Sequence, residues 1–196
     1  MSAKHRYRPR TVWIAPIQAR SGEDAAVVLL DVVEQLNRHS TSLRHGLMLT
    51  NRITKEAVRS CGAHSLELAD AHLLTANMHL NWCQPKPARF YLHRALTLYD
   101  RHLSPPDGRI LAAYLGLADA AYLQQSFGQR NADAERLYRF VIGQAKAANL
   151  PALLFASTRG LATSVALACD WYSRDAVWDE YRLWLGQRAS VSDCSS

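Results

Sequence analysis

Beyond residue 62 the apolar positions of this chain recur at spacings of three and four, the period of a helix with one buried face. Six helices are predicted there, at 64–82, 87–102, 108–126, 132–148, 151–169 and 174–187, with boundaries good to about three residues. The separators carry prolines or turn formers: CQPKP, SPPDG, FGQRNAD, NLPA and YSRD. Two further helices precede them. Ala25, Val28, Leu29, Val32, Val33 and Leu36 follow the capping signal of Ser21 and Asp24 and predict a helix over 23–38. A less regular one is predicted over 41–60, with Leu43, Leu47 and Ile53 as apolar contacts, Gly46 as a weak point, and Cys61 and Gly62 as its end. Residues 1–22, with Pro9, Pro16 and the β-prone run Val12, Trp13 and Ile14, read as an extended arm. Residues 190–196 read as a flexible tail, which leaves 23–189 as one all-helical domain.

Within this pattern one stripe is unusually thin. Ala88, Leu92 and Ala95 stand at i, i+4 and i+7 of a helix, so they form a narrow seam against which another helix can come close. The same spacing returns twice without a gap. ARFYLHRAL at 88–96, AERLYRFVI at 134–142 and VWDEYRLWL at 177–185 carry apolar or aromatic residues at their first, fifth, eighth and ninth places. These are Ala88, Leu92, Ala95 and Leu96, then Ala134, Tyr138, Val141 and Ile142, then Val177, Tyr181, Trp184 and Leu185. Any amphipathic helix meets part of such a pattern, so three ordinary core-facing helices are the plain alternative to repetition.

The segment LADAHLLTANMHLNWCQPKPARFYLHRALTLYDRHLSPPD resembles one tetratricopeptide repeat (TPR). Ala76 takes the small position of the first helix, and Ala88, Leu92 and Ala95 take the small, large and small positions of the second, with proline after it. The match is good over 68–107 and fair over 110–145. Beyond 151 it is poor, and offsets of 46 and 43 residues depart from the family's 34. The resemblance implies antiparallel hairpins stacked as a short TPR-like right-handed solenoid, with each seam against its own first helix and the helix that follows. It also implies a concave surface, built from the first helices, that holds an extended segment or helix of another protein. Carried onto this chain, the groove residues are Asp70, Leu73, Asn77, Leu80 and Asn81, with Asp119 and Tyr122 in the next pair. Asn77 matches an asparagine that bonds a peptide backbone in such repeats. Leu73 stands where carboxylate-clamping repeats carry lysine, which speaks against a clamp.

Charge and chemistry refine the picture. The chain has 48% hydrophobic residues in 196, enough for one sizeable core, and no apolar run reaches the roughly 18 residues of a membrane span. Of the formal charge of +6, Lys4, Arg6, Arg8, Arg10 and Arg20 supply +5, and 18 basic against 17 acidic residues leave the rest nearly neutral. The arm therefore offers a second function class, a nucleic-acid-associated regulator: Lys4, Arg6, Arg8 and Arg10, with Tyr7 among them, would contact phosphates and stack on a base. A solubilising tail or an organelle-targeting segment would look similar. Cys61, Cys83, Cys169 and Cys194 show neither zinc nor disulfide spacing and are expected to be reduced thiols in a cytoplasm, Cys83 and Cys169 partly buried near helix ends.

His72 and His79 are seven residues apart, about 10.5 Å along a helix, too far to share an ion unaided. With no phosphate loop, nucleophile elbow or metal-protease motif, no enzyme activity, metal or cofactor is expected. The expected function is a non-catalytic protein–protein interaction module, an adaptor, chaperone or regulatory subunit. The aromatic residues near the C-terminus, Trp178, Tyr181 and Trp184, either pack on the preceding hairpin or serve self-association.

Overall fold

The computed structural model describes residues 43–104 and 106–193. Within them the chain is all-helical, with seven helices and no strand. They are α1 (Leu43–Cys61), α2 (Leu66–Asn81), α3 (Pro85–His102), α4 (Gly108–Tyr122), α5 (Ala132–Ala147), α6 (Pro151–Leu167) and α7 (Trp171–Asp193). The expected arm and the helix at 23–38 lie outside the described residues.

Local chemistry starts and stops these helices where the separators stand. Ser65 caps α2 by accepting from the Leu68 amide, Asp107 caps α4 through the Arg109 amide, and Asn131 caps α5 through the Ala134 amide. Pro85 and Pro151 occupy the first turns of α3 and α6, where a missing N–H costs nothing. Three helices end in the same motif. Cys83, Asn149 and Cys169 hold φ of 54°, 55° and 62°, and the residue after each donates back to the helix: Gln84 to His79, Leu150 to Ala145, Asp170 to Val165. Cys83 and Cys169 are exposed, not partly buried as expected, because that left-handed position lies at the outer corner of the turn.

Two boundaries differ from expectation. Helix α4 stops at Tyr122, four residues short, and there the Gln125 side chain bonds instead to the Gln129 and Ser164 carbonyls. Helix α7 begins at Trp171, with the Asp170 carboxylate accepting from the Ser173 amide, and continues to Asp193, so residues 190–193 extend the helix. Neither YSRD nor ASVS contains the glycine or proline that would break it.

Each helix packs on the next, and α2 also packs on α4, and α4 on α6. Among the described residues α3, α5 and α7 bring no pair of Cα atoms within 8 Å of one another. The first helices α2, α4 and α6 therefore lie side by side, with the second helices flanking them. The seam is closed as the spacing requires: Ala88, Leu92 and Ala95 have no exposure, and neither do Ala134, Tyr138 and Val141. Each stripe extends one step further than the sequence reading carried it, to Tyr99 in α3 and Ala145 in α5. The α3 seam meets Leu73 and Ala76 of α2 on one side, and Ile110, Ala113 and Leu117 of α4 on the other. The approach is close at Gly116, where a Cβ would lie 2.8 Å from Leu92 Cδ2.

Candidate functional site

The expected groove is where structure and expectation part. Asp70, Leu73, Leu80 and Asp119 are buried, and only Asn77, Asn81 and Tyr122 keep partial exposure. A surface for a partner cannot be built from the four buried ones as they stand. The physical reason is the composition of the first helices. α4 is apolar on nearly every side, and α2 carries leucine or alanine on every side between its polar residues, so both helices are covered over most of their surface.

The two acids have another task. Tyr99 Oη in α3 donates to Asp70 Oδ1 in α2 at 2.5 Å, and Tyr138 Oη in α5 donates to Asp119 Oδ1 in α4 at 2.6 Å. Each bond ties a first helix to its own second helix through the seam, because a buried hydroxyl and a buried carboxylate each need a partner. Burial pushes the Asp70 carboxyl up to about 6, against the lowering effects of the Tyr99 hydrogen bond and of Arg109. A sequence signal existed for these pairs. Tyr138 already stood in a seam position, and Asp119 is the lone acid of α4.

Among the described residues, one surface with exposed apolar side chains is on α7. α7 is backed by α6, and the Lys146–Glu180 ion pair at 2.6 Å reaches α5. Trp178, Tyr181 and Trp184 are half-buried and form a run of ring contacts, with Phe155 of α6 touching the first two. Of the two readings of these aromatics, packing on the preceding hairpin is the observed one for the inward edge. Outward, Tyr172 is 89% and Leu183 69% exposed. They are eleven residues apart, about three turns, and so share one face. Asp179 and Glu180 point apart, the first to Arg182 and the second to Lys146, so they form no acid pair.

The basic positions of the arm, Lys4, Arg6, Arg8 and Arg10, lie outside the described residues. No helix among the described residues is long and apolar enough to cross a membrane. Set against family models, curated proteins and solved structures, the chain matches none.

Proposed function

We propose that this chain is a non-catalytic protein–protein interaction module of the cytoplasm, a short TPR-like right-handed stack of helical hairpins that binds another polypeptide. The packing order supports the stack: first helices touch one another and their own second helices, while the second helices stay apart. The partner would lie on α7. A further hairpin would cover α7 in a continuing array, yet α7 presents Tyr172 and Leu183 outward, and this exposed pair is the observation that carries the reading. The occupant is a helix of another protein, laid along α7 as the next helix of the stack would be. The face on which the TPR resemblance placed a partner is withdrawn for Asp70, Leu73, Leu80 and Asp119, whose side chains serve the core.

Co-purification from the native cell with mass spectrometry, beside size-exclusion chromatography with light scattering, tests this. The wild type is expected to retain a partner that Leu183→Asp and Tyr172→Ser release, with helical content unchanged. A partner that survives both substitutions would refute the assignment to α7. A dimer of this chain, lost in Leu183→Asp, would replace the foreign helix with a second copy.

A further inference from the structure

The first hairpin holds a cleft that this function does not use. It lies along α2 and α3, has a volume of about 510 Å³, and is lined at one end by the turn before α2. Its long wall is a single stripe of α3, in which Phe90, Arg94, Thr97 and Arg101 succeed one another at spacings of three and four. Leu68 and Leu98 make the floor apolar. Among the described residues no carboxylate lines it, although two guanidinium groups do.

Three features single this cleft out from an ordinary basic patch. Neither Arg94 nor Arg101 has an acidic partner among the described residues; Arg94 instead lies over the Phe90 ring, 4.8 Å from its centre. The rim is held in place: His102 Nε2 donates to the His64 carbonyl oxygen, and Arg101 Nη1 donates to His64 Nδ1 at 3.1 Å. The ring of His72 lines the cleft at only 5% exposure, and its buried Nδ1 has no hydrogen-bond partner. A buried polar nitrogen left without a partner is costly, and a cation without a counter-charge attracts one. His72 and His79 both lie against Tyr91, with ring centres 5.8 and 5.6 Å away, so the His72 ring is already positioned. Burial, with the charge of Arg94 beside it, pulls the His72 imidazole down to about 4, so it is neutral at pH 7.

We propose that the cleft between α2 and α3 binds a small organic anion, its carboxylate or phosphate head drawn to the guanidinium charges of Arg94 and Arg101 along one wall and its aromatic or aliphatic body against Phe90, Leu68 and Leu98. A volume of about 510 Å³ falls in the range of small-molecule sites, roughly 300–1,000 Å³. The guanidinium groups supply charge-assisted bonds in a fork that suits either head. The site is complete within one hairpin and the turn before it, so it stands whether or not α7 docks a partner helix.

Calorimetric titration of the full chain with benzoate, phenyl phosphate, inorganic phosphate and benzyl alcohol tests the proposal at low salt. Benzoate or phenyl phosphate is expected to bind in the millimolar range or tighter. Inorganic phosphate and benzyl alcohol, each lacking one half of the ligand, should bind at least about ten-fold more weakly. Arg94→Gln and Arg101→Gln change exposed side chains and leave the fold intact; each should weaken the organic anion by about ten-fold, ~1.4 kcal/mol. The imidazole signals of His72 in nuclear magnetic resonance spectra should move on addition of the organic anion. Absence of heat and of signal shift with both organic anions at millimolar concentration overturns the proposal. Unchanged affinity in both arginine variants overturns it too, as does inorganic phosphate or benzyl alcohol binding as tightly as the organic anions.

Discussion

At the scale of single residues, the buried Asp70 carboxyl and the Tyr99 hydroxyl above it make the stability of this protein depend on pH in an unusual direction. Burial raises the folded-state value of Asp70 to about 6, above the roughly 3.9 of an unfolded aspartate. A carboxyl shifted upward contributes stability that is fully present below the unfolded value and is lost as pH rises through the folded one. The Asp70 contribution should therefore decline between about pH 4 and pH 7, by an amount on the order of 3 kcal/mol at two pKa units. Denaturant melts of the wild type and Asp70→Asn across that range should show the difference shrinking or reversing as pH rises. Tyr99→Phe removes the donor and should cost about 1–3 kcal/mol, more at pH 8 than at pH 5, since the charged form then lacks its bond. The helix ends provide an opposite case. Cys83 and Cys169 hold a backbone conformation that disfavours any side chain with a Cβ, so Cys83→Gly and Cys169→Gly should each raise stability by about 1 kcal/mol. Asn149→Gly should gain less, because asparagine tolerates that conformation. Thermal melts of the three variants would check the order.

At the scale of elements, the seam between α3 and α4 leaves no room for a side chain at Gly116. Leu92 occupies the space where a Gly116 side chain would be, and Leu92 itself is fully buried. Gly116→Ala would gain up to about 1 kcal/mol in helix propensity but must displace Leu92, an overpacking cost of roughly 1–3 kcal/mol. The expected result is a net loss of about 1 kcal/mol, which should shrink when Gly116→Ala is made in a Leu92→Ala background, as a double-mutant cycle by chemical denaturation would measure. The seam positions were legible in the sequence because a spacing of four, then three, on a helix lies in one narrow sector whatever the neighbour is. What the neighbour needs was not legible. Nothing in GRILAAYLGLADAAY says which small residue meets Leu92, since that depends on the offset between two helices. The charge on α3 was hidden for a similar reason. Lys86, Arg89, Arg94 and Arg101 against Asp100 make it a basic helix, but averaging over a nearly neutral body conceals that.

At the scale of the whole molecule, α4 packs on α2, α3, α5 and α6, whereas α7 packs on α6. Amide hydrogen exchange should therefore be slowest in α4 and fastest in the C-terminal turns of α7, and equal protection across both would contradict the packing order described above. The helical class, the proline and capping boundaries, and the buried stripes of α3 and α5 were determined by the sequence alone. They depend on interactions between residues a few positions apart, which the order of amino acids specifies directly. Tertiary structure decided the rest. It turned Asp70 and Asp119 from expected partner contacts into core ties, buried Leu73 and Leu80, and placed Phe90, Arg94 and Arg101 around one cleft with His72. Each of these depends on which face of a helix is covered, and by what. The covering groups stand far away along the chain, where local spacing carries no information about them.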